Sequence, residues 1–218
     1  SGSAWDGDGQ PDIYHASFLG NSVSFFFDLE TGGIRQIGER SLFSINATRD
    51  ANYLITGFII TDNSGVQYHF EQNETTYFTI PVGGTLNFST NATSAWLLTK
   101  IKHPDDEIIL TYSNYGTVKP AVNWSQSITG HMPNPVNDPG DTRQNTNIIT
   151  SKYLTRVESG NTQIDFTLST RIDLEGDGAR KLDKISVTAK ETNAVVKEFL
   201  FEYDYFTATA QAGDNNLP

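Results

Sequence analysis

From Ile13 onward, apolar and polar side chains alternate, and clusters rich in Gly, Asn and Asp cut the alternation into short runs. In Gln163–Leu168, the residues Ile164, Phe166 and Leu168 fall on one side and Gln163, Asp165 and Thr167 on the other. A repeat of two is the geometry of a strand with one face on a core, whereas a helix needs apolar residues three and four apart. Turn signals such as Thr31-Gly32-Gly33, Asn63-Ser64-Gly65 and Ser159-Gly160-Asn161 sit between the runs, where hairpins need positive φ. The pattern predicts an all-β chain, either a mostly antiparallel twisted sheet or a two-layer β-sandwich, built from repeated hairpins.

Predicted strands are Ile13–Phe18, Val23–Asp28, Ser41–Ile45, Tyr53–Thr61, Val66–Glu71, Tyr77–Ile80, Leu86–Ser89, Ala95–Lys102, Glu107–Tyr112, Tyr153–Ser159, Thr162–Ser169, Lys181–Lys190 and Val195–Tyr205. Helical pieces are expected only at Asp50–Leu54 and after Thr142. Residues 1–12 read as an entry linker, 13–206 as a single all-β domain, and 207–218 as a C-terminal tail. Within the domain, 116–150 reads as a long loop insertion, rich in Pro, Asn and Gly. In the last strand, Phe199, Phe201, Tyr203 and Tyr205 share a face. Core packing is the expectation for them, and a stacking platform for sugar rings is the functional alternative.

Composition sets limits on partners. Hydrophobic residues make up 37% of the 218, with 13 Phe, 9 Tyr and 3 Trp, enough for a packed core. The formal charge of -11 repels a phosphate backbone and argues against nucleic acid and anionic lipid as partners. With no cysteine, thiolate chemistry, cysteine-ligated zinc and disulfides drop out. Apolar runs such as Phe58-Ile59-Ile60 are far too short for membrane insertion as a helix. The opening Ser1-Gly2-Ser3 reads as a truncation boundary, with any targeting segment upstream.

Three segments share one local grammar. Trp96–Ile101 and Glu107–Tyr112 flank a polar turn, as do Tyr153–Val157 and Gln163–Phe166, and again Lys181–Ile185 and Val196–Tyr203. A hairpin of this kind cannot bury its apolar face alone, and it does so by lying beside the next one.

Chemistry-bearing constellations are sparse. Asp6, Asp8 and Asp12, spaced by glycines, form a candidate calcium loop, although Pro11 stiffens it and an EF-hand's terminal Glu is missing. No other cofactor is implied. His15, His69, His103 and His131 are scattered, and no serine stands in a nucleophile elbow. With 26 acidic residues, a carboxylate pair for glycoside hydrolysis has no anchor. Tyr115, Trp124 and His131 in the expected long loop are the candidate binding residues for a glycan or a protein.

The run Trp96-Leu97-Leu98-Thr99-Lys100-Ile101, followed by Pro104-Asp105-Asp106-Glu107 and Leu110-Thr111-Tyr112, resembles the segments of RHS/YD-repeat proteins. The resemblance is in particular to large surface or secreted proteins of Bacteroides-type bacteria. The opening Gly9-Gln10-Pro11-Asp12-Ile13-Tyr14 is similar to the lead-in that precedes such repeats, and Gly57-Phe58-Ile59-Ile60-Thr61 with Gly65-Val66-Gln67-Tyr68-His69-Phe70 to its next block. The resemblance implies a non-catalytic scaffold or shell module, extracytoplasmic, whose partners are neighbouring repeats or domains of the same polypeptide. A glycan- or protein-binding module is the alternative, and a carbohydrate-active enzyme the third expectation.

Overall fold

A computed structural model describes residues 11–38, 43–82, 86–119, 122–127, 141–174 and 177–205. The described residues form two antiparallel β-sheets of hairpin-connected strands, with no helix. Strands β1 (Ile13–Phe18), β2 (Asn21–Phe27) and β3 (Ile34–Ile37) make the small sheet. The large sheet holds β4 (Ser44–Arg49), β5 (Ile55–Thr61), β6 (Gln67–Val82), β7 (Leu86–His103), β8 (Asp106–Asn114), β9 (Val122–Ser127), β10 (Asp141–Thr150), β11 (Lys152–Glu158), β12 (Thr162–Thr170), β13 (Arg180–Ala189) and β14 (Ala194–Leu200). Its order runs β14-β13-β12-β11-β8-β7-β6-β10-β9, with β5 pairing β6 and β4 pairing β5 off that path. The hairpins expected from the repeated grammar therefore lie side by side in one sheet.

Several expectations need correcting. Asp50–Leu54 is a turn: the Asp50 carboxylate accepts the Asn52 and Leu54 amides, both at 2.9 Å, and Tyr53 takes φ 63°. A short acceptor side chain that captures nearby amides competes with a helix. Asp28 and Asp62 close their turns in the same way, Asp28 on Glu30 and Thr31, Asp62 on Ser64 and Val66. The stretch after Thr142 is strand, and within the expected loop 116–150 the described residues include the antiparallel pair β9–β10. β6 and β7 are each one long strand where two short ones were expected.

Contacts divide the chain into two compact units. The first comprises the described residues up to Thr75, with Thr93–Thr111 and Val157–Gly160. Its core follows from alternation. Tyr14, Ala16 and Phe18 of β1 stand opposite Phe25, Val23 and Asn21 of β2, and Phe58 and Ile60 of β5 opposite Phe70 and Tyr68 of β6. These two faces meet, with Phe25 and Phe58 edge to face at 5.3 Å and Phe18 tilted against Tyr68 at 4.6 Å. Phe25 and Ile60 are the largest fully buried side chains. Each such residue contributes roughly 1.5–3 kcal/mol by leaving water. The β1–β2 turn, Leu19-Gly20, places both residues at positive φ, the two-residue turn that matches strand twist.

The second unit comprises the described parts of Thr76–Ala92 and Tyr112–Arg156 and those from Asn161 on. Its buried side chains among the described residues are few: Thr76, Val118 and Ala179. The chain locks there by backbone contact. Gly178 donates to the Thr117 carbonyl at 3.0 Å, Thr117 donates to the Asp177 carboxylate at 3.1 Å, and Val118 bridges Ile149.

Gly57 has no room for a side chain, since a Cβ there would lie 2.4 Å from the Phe70 carbonyl oxygen. Gly65, at φ 83°, faces open space. We expect Gly57→Ala to cost ~1–3 kcal/mol through overpacking and Ile60→Ala ~2–5 kcal/mol through a cavity. Gly65→Ala should cost only ~1–2 kcal/mol of left-handed strain. Urea midpoints of the three variants check that order.

Candidate functional site

A concavity lies within the first unit, a cleft of about 720 Å³ between β1 and the Thr93–Trp96 stretch of β7. Its floor is the aromatic core: Phe25, Phe58 and Phe70 are 2%, 4% and 8% exposed. Tyr14 stacks on Phe25 at 5.5 Å and 14°, and Trp96 stands edge-on to Phe58 at 5.1 Å and 90°. Strand alternation puts Tyr14 inward and leaves His15 outward, where its Nδ1 lies 2.8 Å from the Ser24 hydroxyl. The rim is polar, with Asp12, Ser17, Thr93 and Ser94, and no Lys or Arg is among the lining residues. Such a surface suits a neutral, flat-faced ligand and repels an anion.

Within this unit two buried polar atoms, Trp96 Nε1 and His69 Nε2, have no hydrogen-bond partner among the described residues. An orphaned buried donor or acceptor costs about 1–3 kcal/mol, so each marks a place where the fold tolerates a loss. His69 Nδ1 lies 3.2 Å from a Glu71 oxygen, and Thr99 donates to the His69 carbonyl. The pair sets an imidazole beside a carboxylate, as a base and its orienter do, but the other ring nitrogen, Nε2, is buried and meets no nucleophile among the described residues.

A second concavity, about 540 Å³, lies in the other unit beside Arg171, Lys181 and Tyr203. Its cations are matched locally: Arg171 with Asp173, and Lys181 with Asp183 at 2.8 Å, its ammonium 4.9 Å from the Tyr203 ring. The hydrogen bond from Arg171 holds Asp173 below the usual carboxylate range.

The residues singled out from sequence do not converge. Tyr115 is half-buried, edge-on to Tyr153 at 6.1 Å, with the Arg180 guanidinium 4.5 Å from its ring centre. Trp124 lies in β9 opposite Gln144. His131, Asp6 and Asp8 lie outside the described residues, and Asp12 sits at the cleft rim. No cluster of three or more metal-ligating side chains occurs among the described residues, and no helix there is long and apolar enough to cross a membrane. Sequence reasoning missed the cleft. The inward register of Tyr14 was legible, but its meeting with Trp96 depends on how the two sheets pack.

Burial, and after it the charge of Asp12, raises the Tyr14 phenol above 10.0, outweighing a lowering by Arg49. Burial and the hydrogen bond with Asp62 raise Tyr68 likewise. A raised folded-state pKa means the native chain holds the proton more tightly. That stability is complete below the unfolded tyrosine pKa and is lost as pH rises through the folded one. Urea unfolding should therefore show stability declining above about pH 10, and Tyr14→Phe should flatten part of that decline. An unchanged slope in the variant would contradict this account.

Comparison with protein-family models, with curated proteins and with solved structures finds no match.

Proposed function

We propose that the chain is a non-catalytic structural module of a larger extracytoplasmic protein, as the likeness to RHS/YD-repeat segments implies. The observation that supports this is the two-sided character of β12–β14. Their register puts Ile164 beside Val187, and Phe166 beside Ile185 and Phe199, on one face. None of the five is buried, and Phe199 is 43% exposed. The other face carries a polar ladder: Arg156 to Asp165 at 2.8 Å, and Lys184 and Ser186 to Glu198 at 2.9 and 3.0 Å. Burial would raise Asp165, but hydrogen bonds from Gln163 and Arg156 outweigh it and hold the carboxyl low. A sheet that solvates one face with ion pairs and leaves the other apolar and half-covered is suited to being one layer of something larger.

The cleft beside Trp96 favours a second reading, a binding module for a neutral glycan, because an aromatic lining without Lys or Arg suits the flat face of a pyranose ring.

Two measurements on the isolated chain separate the readings. The structural role predicts binding of an apolar dye such as ANS, reduced several-fold by Phe199→Lys, with melting temperature indifferent to a panel of neutral oligosaccharides. A sugar that raises the melting temperature by several degrees, an effect lost in Trp96→Ala, would move the assignment to recognition.

A further inference from the structure

The outer edge of β14 offers a backbone surface separate from the cleft and independent of the structural role. β13 is the only neighbour of β14 among the described strands, and every residue of β14 is exposed, Val196 to 68% and Leu200 to 75%. Phe201 donates its amide to the Asp183 carbonyl at 2.9 Å. With Ile185 opposite Phe199 and Val187 opposite Lys197, the odd-numbered residues direct their backbone groups at β13. The N–H and C=O of Glu198 and Leu200 therefore point away from the sheet. A bulge between Val187 and Thr188 confines the straight part of the edge to Lys197 onward. The usual edge protections are weak here. There is no proline, the Lys197 ammonium lies 4.8 Å from the Phe199 ring centre, and Glu198 is held by Lys184 and Ser186.

We propose that this edge pairs antiparallel with the same edge of a second copy, across a two-fold axis through Phe199. Side chains directly opposite in an antiparallel pair lie on the same face, so a symmetric pairing must place one residue against itself. Centring on Lys197 opposes two lysines, and centring on Glu198 opposes two glutamates. Centring on Leu200 sets Glu198 against Glu202, and centring on Phe201 sets Glu198 against Asp204. Like charges directly opposite are destabilising. Among centres on the straight part of the edge, Lys197 to Phe201, only the Phe199 centre avoids every such clash. It sets Phe199 against its own copy at a non-hydrogen-bonded site, where side chains approach most closely. It also places Lys197 against Phe201 of the second copy, a cation–π pairing in each direction. Glu198 and Leu200 of the second copy then exchange N–H···O bonds through the groups that point outward. The apolar faces of both copies stay on one side of the joined sheet.

Because the chain has no cysteine, single cysteines report the register directly. The two Phe199 Cα atoms would be about 4.5 Å apart, within reach of a disulfide. The two Leu200 Cα atoms would be about 8 Å apart, from the offset along the strands, which is out of reach. The expected results are a concentration-dependent doubling of mass in sedimentation for the unmodified chain and a covalent dimer from Phe199→Cys on mild oxidation. Leu200→Cys should give at least ten-fold less. Leu200→Pro removes an outward N–H without touching β13 and should return the chain to monomer, with the melting temperature of the unmodified chain diluted until it too is monomeric. A chain that stays monomeric at all concentrations, or Leu200→Cys crosslinking as readily as Phe199→Cys, would overturn the proposal.

Discussion

A β-sheet with one apolar face must find a second layer, and in the first unit that layer is a three-stranded hairpin sheet whose aromatic side chains meet β5 and β6. The contact between Phe25 and Phe58 is its centre, with Tyr14, Phe18 and Trp96 arranged around it. Edge-to-face rings interlock at a fixed separation, which sets the spacing of the two layers. Phe25, Phe58 and Phe70 belong both to this core and to the lining of the cleft.

The second unit handles the same constraint differently. Its order comes from hydrogen-bonded registers, from the close backbone approach at Gly116 and Gly178, and from cross-strand ion pairs on one face of β12–β14. Exposed ion pairs of this kind contribute little each, about 0–1 kcal/mol. They do make a one-residue register slip costly, because a slip would bring Phe166 and Ile185 to the polar side. The aromatic run expected to build a core ends instead at the sheet margin, with Phe199, Phe201 and Tyr203 between 40% and 49% exposed. Alternation told which side these rings occupy. It carried no information on whether anything would cover that side.

Legibility in the sequence tracked apolar contrast. β1 is Ile13–Phe18 in both readings, and β12 differs by a single residue at its end, because both alternate strongly. β10 begins Asp-Thr-Arg-Gln-Asn-Thr-Asn, with no apolar residue before Ile148, and β9 is nearly as polar, so backbone pairing alone declares them. β6 runs unbroken through Gln72-Asn73-Glu74-Thr75-Thr76, a polar stretch that separated the two short strands expected there. Of the residues singled out for function, Tyr115 owes its setting to Tyr153 and Arg180, neither of which its local sequence could indicate.

By itself the sequence determined the β class, the hairpin units and which side chains share a face. These follow from a repeat of two and from turn residues that tolerate positive φ, both of which act over a few neighbouring positions. Only the tertiary structure decided which faces are covered, that Trp96 and Tyr14 bound one cleft, and that β14 ends the described sheet with its backbone groups turned outward. Those outcomes depend on contacts between residues tens of positions apart, where the pairing is chosen by the packing of whole layers and no local pattern encodes it.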